Sequence, residues 1–130
     1  MYKHILKERG QIFEEGVALP IHAPHVCAKG LNVGNRLGML ACAITASNSV
    51  SIAPGKTITV TFLHGDSDGA YGEHSSHAIS FADGLDVGPG GVVARMLLPP
   101  DARRWIKATL SCDDAAASGA LDVFAEYLAR

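Results

Sequence analysis

The chain has 130 residues, 48% of them apolar and 18% charged, with a formal net charge of −2. That length fits one domain with a core of its own, and no apolar run approaches the roughly 20 residues a membrane helix needs. The eleven Lys and Arg residues are scattered, which argues against nucleic acid as a partner, because neutralising phosphates takes clustered cations.

Met1–Ala23 reads as an N-terminal arm that packs on the domain or pairs beyond it. Tyr2–Glu15 has the length for a short helix, but Gly10 and Gly16 count against one. Glu8 interrupts Lys3, Lys7 and Arg9, and no apolar segment follows, so the arm does not fit a secretory signal. A cytoplasm, or a particle assembled there, is the expected location. Residues 24–130 then form the single β domain. Cys27–Val33 is a short strand candidate, and Leu37–Thr45 is a strand of small residues. Turn signals at Ser47-Asn48-Ser49 and Ala53-Pro54-Gly55-Lys56 bracket a hairpin.

Thr57–Leu63 is the clearest strand. Ile58, Val60 and Phe62 share one face, and Thr57, Thr59 and Thr61 share the other. Asp66-Ser67-Asp68-Gly69 closes it, and the Gly- and Ser-rich stretch Gly65–Ser76 reads as a solvated loop. Ala78–Phe81 is a short strand. Gly91–Leu98 follows the turn at Val87–Gly91. Past Leu98-Pro99-Pro100-Asp101, Trp105–Cys112 alternates again, with Ile106, Ala108, Leu110 and Cys112 inward. Asp113–Gly119 joins it to Ala120–Leu128, where Leu121, Val123, Ala125 and Tyr127 share a face and Phe124 on the other face needs cover. Short alternating strands with turn signals at this spacing give an all-β, antiparallel sandwich or barrel.

Candidate chemistry is sparse. His64, Asp66, Asp68, His74 and His77 fall within fourteen residues and are donors a transition metal accepts. Their loop composition is that of a solvated segment, so neither a metal nor another cofactor is expected. Asp66-Ser67-Asp68-Gly69 opens like a calcium loop but lacks the Glu at its twelfth position. No GxSxG elbow occurs, and Gly88-Pro89-Gly90-Gly91 is not followed by Lys-Ser/Thr. The chain is therefore not expected to be an enzyme. Cys27, Cys42 and Cys112 form no CxxC and read as free thiols. Arg103-Arg104-Trp105 is the outstanding surface cluster, since Arg and Trp are enriched where partners bind tightly.

The order of these features resembles the jelly-roll capsid cement, or head decoration, proteins of tailed phages. The resemblance is carried by the small-residue strand Leu37–Thr45, the Thr57–Leu63 strand with its Ser-Asp-Gly loop, and Ser80-Phe81. It also rests on the stretch from Leu98 to Leu110, in which a Pro turn leads through Arg103, Arg104 and Trp105 into a strand. It implies a jelly roll without catalytic residues, sitting on the virion surface after synthesis in a bacterial host. It also implies a homo-oligomer, dimer or trimer, bound to the major capsid protein. On that reading Tyr2, Ile5, Leu6, Ile12 and Phe13 of the arm are candidate shell contacts, and Arg103, Arg104 and Trp105 a candidate subunit contact. The alternative is a carbohydrate- or metal-binding sandwich module.

Overall fold

In the computed structural model, which describes residues 12–21, 24–33, 40–99 and 101–127, the Thr57–Leu63 alternation lies within a strand running from Lys56 to Gly65. The described strands are β1 (Ile12–Ala18), β2 (His25–Val26), β3 (Leu31–Asn32), β4 (Leu40–Ala46), β5 (Val50–Ile52), β6 (Lys56–Gly65), β7 (Gly72–Phe81), β8 (Leu85–Val87), β9 (Val92–Leu97), β10 (Trp105–Cys112) and β11 (Ala120–Tyr127).

Their pairing is nested, and every pair is antiparallel. The innermost strands β6 and β7 pair, then β5 with β8, β4 with β9, β2 and β3 with β10, and β1 with β11. A long hairpin rolled over in this way is a jelly roll. It gives one sheet ordered β1-β11-β4-β9, one ordered β2-β10-β6-β7 with β3 also on β10, and the small β5-β8 pair. The chain is thus an all-β antiparallel sandwich.

The inner faces follow the alternation. Ile58, Val60 and Phe62 from β6 meet Ile106, Ala108 and Leu110 from β10, all fully buried. Leu40, Cys42 and Ile44 of β4 and Leu121, Val123 and Ala125 of β11 cover them from the other sheet. Each large apolar side chain buried this way stabilises by about 1.5–3 kcal/mol. β4 does not alternate because both of its faces are covered: Ala41, Ala43 and Thr45 are buried too. They lie on the outer face beside Phe124, which is 1% exposed and sits between Ile12 and Ala43 in register.

Three expectations need correcting. Phe13 is 0% exposed and belongs to the core, so it is not a surface contact. It lies in β1, which pairs with β11 as an edge strand of the sheet. The solvated loop is only Asp66–Tyr71; from Gly72 the chain is one ten-residue strand. Its apolar period is faint because it is an edge, with Ser76, His77, Ala78 and Ser80 exposed. Finally, the turns at Ser47–Ser49 and Ala53–Lys56 do not close a hairpin. The strand between them, β5, crosses to β8.

Candidate functional site

The turn between β9 and β10 is held at one end of the sandwich by the residues that resembled metal donors. β6 ends at His64-Gly65, and β7 returns past His74. The two imidazoles meet edge to face, 4.7 Å between centroids. His64 Nδ1 accepts the backbone N–H of Arg103 at 3.0 Å. His74 Nε2 donates to Asp101 Oδ1 at 2.8 Å, and its Nδ1 lies 2.9 Å from Ser75 Oγ. Asp66 accepts from the Arg103 guanidinium. These bonds tie the turn residues Asp101 and Arg103 to β6 and β7.

The remaining donors point elsewhere. Asp68 accepts the Tyr71 hydroxyl at 2.8 Å, and His77 packs on the edge of Phe62, 5.5 Å away. Among the described residues no group of three or more His, Cys, Asp and Glu side chains could hold a metal ion. The five sequence candidates are therefore split between a turn latch, a loop bond and a core-edge contact.

Arg103 and Arg104 project from the latched turn into solvent. Trp105 is half-buried and begins β10 opposite Gly65 and Asn32. Because Ile106 faces the core, Trp105 and Lys107 stand on the outer face of the larger sheet. Lys107 Nζ lies 5.5 Å from the centroid of the Tyr71 ring. Gly30 lets Tyr71 approach so closely: a Cβ there would fall 1.8 Å from the phenol oxygen. Partial burial, then the bond to Asp68 and its charge, hold the Tyr71 phenol above its usual range.

Below Tyr71 the outer face is a plate of hydroxyls. Thr57, Thr59 and Thr61 stand on β6, Thr109 and Ser111 on β10, and Ser76 and Ser80 on β7. Thr61 bonds Ser76 at 2.9 Å, and Thr57 bonds Ser80 at 3.2 Å. At its lower end Thr57, Thr59, Ser111, Cys112 and Asp113 line an open depression of about 440 Å³. A second depression, about 370 Å³, lies along β1, where Glu14 accepts from His25 Nε2 and from the backbone N–H of Ala28, both at 2.8 Å.

The thiols are free. Cys27 and Cys42 are buried and Cys112 is partly exposed. Burial, with the Glu14 charge adding to it, pushes the Cys27 thiol up to about 12; burial raises Cys42 and Cys112 as well. None is a poised nucleophile at neutral pH.

Ile12 is half-buried on β1, while Tyr2, Ile5 and Leu6 lie outside the described residues. Sequence reasoning missed Asp101, Lys107, Tyr71 and the β7 hydroxyls. The Thr alternation of β6 signalled a hydroxyl face, but which strand continues it depends on pairing. No protein-family model and no curated protein matches the chain.

Proposed function

We propose that the chain is a capsid cement protein that binds the outer surface of a phage or prophage head and clamps neighbouring major capsid subunits. The observation that carries the reading is where the stretch from Leu98 to Leu110 falls. Leu98, Ile106, Ala108 and Leu110 anchor it in a jelly-roll core, while Arg103 and Arg104 are presented to solvent on a turn braced by His64, Asp66 and His74. A braced turn loses little entropy on docking, and this favours binding. Copies acting together on one shell multiply modest contacts through avidity, and self-association into a dimer or trimer supplies further valency. The work is done by binding, so no catalytic group is required.

A pelleting assay tests this. The chain is mixed with phage heads assembled from a major capsid protein of the same source genome. The wild type co-sediments to a saturating stoichiometry, and Arg104→Glu stays in the supernatant while keeping its melting temperature. A wild type that never pellets overturns the proposal. A glycan-binding module is the second reading, favoured by Tyr71 and Trp105 beside the hydroxyl plate. Its test is retention on a glycan array.

A further inference from the structure

The geometry points to the free edge of β7 as the contact through which two copies of this chain pair, antiparallel, across a two-fold axis at Ala78. The inference names the contact behind the homo-oligomer of the proposed function and rests on that reading.

Among the described residues the two large sheets have four open edges, and three are blunted. β1 is broken by register shifts around Glu14 and Val17, with Gly16 at φ +73°. β2 and β3 are two residues each. β9 is six residues long, and its central Arg95 is ion-paired to Glu126. β7 runs for ten residues without Pro, Lys or Arg, and its one register shift, beside Glu73, leaves Ser75–Phe81 as an uninterrupted, uncharged edge.

Backbone polarity fixes which β7 groups face away from β6. Asp113 N–H donates to Thr57 O, so Thr57 turns its backbone to β10. By alternation Ile58, Val60 and Phe62 turn theirs to β7 and bond Ile79, His77 and Ser75. The N–H and C=O groups of Ser76, Ala78 and Ser80 therefore face the open side.

This edge is complementary to itself with Ala78 on the axis. With Ala78 opposite Ala78 of the second copy, Ser76 meets Ser80, His77 meets Ile79 and Ser75 meets Phe81. Residues 75–81 carry no formal charge, so no like charges are opposed within the overlap. Moving the axis to His77 would oppose two imidazoles. Moving it to Ser76 would draw the β7 bulge near Glu73 and Ser75 into the pairing. In the Ala78 register three edge-facing pairs exchange about six backbone bonds. The outer hydroxyl row also continues across the axis, from Thr61 and Ser76 to Ser80 and Thr57 of the second copy.

Sedimentation velocity over a concentration series, with a thermal melt of each protein, tests this. Ala78 is exposed on the outer face, so Ala78→Lys adds a solvated charge that opposes itself at the axis. The wild type is a dimer. Ala78→Lys and Ser80→Lys weaken association about tenfold or more at unchanged melting temperature, and Val92→Lys, on the other sheet, leaves the dimer intact. If the wild type dimerises and both β7 lysine variants do so equally well, the β7 contact is wrong while self-association stands. If the wild type is monomeric at high micromolar concentration, both fail.

Discussion

Replacing Phe13 with Ala separates a detachable arm from a strand of the fold. Phe13 is completely buried, and β1 holds it there by pairing with β11 on one side. On the other, its carbonyl accepts Lys29 N–H at 3.0 Å, and Glu14 binds His25 and the backbone of Ala28. With its backbone pinned, the site cannot collapse fully around a lost ring. Phe→Ala at such positions costs about 3–5 kcal/mol. That is a large share of the roughly 5–15 kcal/mol that stabilises a domain. At roughly 3–6 °C per kcal/mol for this size, the melting temperature should fall by roughly 10–30 °C. Thermal unfolding followed by circular dichroism measures it. Removing only residues 1–11 should leave most of the stability in place, because the described β1 contacts remain. A Phe13→Ala shift of no more than about 3 °C, roughly 1 kcal/mol, would refute the placement of Phe13 in the core and return β1 to the arm.

The buried thiols should distinguish themselves: in the native protein Ellman's reagent should modify Cys112 first, with Cys27 and Cys42 reacting only on unfolding. Prompt reaction of all three would contradict their burial. Asp114 accepts the backbone N–H groups of Ala53 and Ala116 at 2.8 and 2.9 Å, and these bonds hold its carboxyl below the usual carboxylate range. A depressed carboxyl stabilises fully above its unfolded value and loses that contribution as pH falls through the folded value. Asp114→Asn should therefore flatten the loss of stability below about pH 4, measured as melting temperature against pH. Gly119 sits at φ +109°, and a Cβ there would fall 2.4 Å from Ser49 O. Gly119→Ala should destabilise by about 1–3 kcal/mol in a urea titration, and a neutral result would remove the close approach of these two loops.

How far the fold was legible follows from which strands bury one face. β6 and β10 alternate because one side meets the core and the other meets water, so their inward sets were readable residue by residue. β4 was visible as a small-residue run, since it is covered on both faces. β7 was mostly hidden. An edge strand of Ser, His and Gly carries little apolar period, and only its Ala78–Phe81 end stood out as strand. The nested pairing itself has no local signature, because β5–β8 and β1–β11 are set by closure of the whole roll. The site shows the same division. The histidines and aspartates near residue 70 are close in sequence and were singled out as a group, but Asp101 and Arg103 reach them from the connection before β10. Their bonds turn a set that looked like metal donors into a brace.

The claim that the chain acts by clamping a shell is tested most directly by the heat stability of DNA-filled heads that lack it. Heads are warmed in steps with a dye that reports released DNA, with and without the purified protein. The clamp predicts a release temperature that rises as the chain is added and levels off when its sites on the shell are full. A release temperature that does not move, with no protein on the recovered heads, would contradict it.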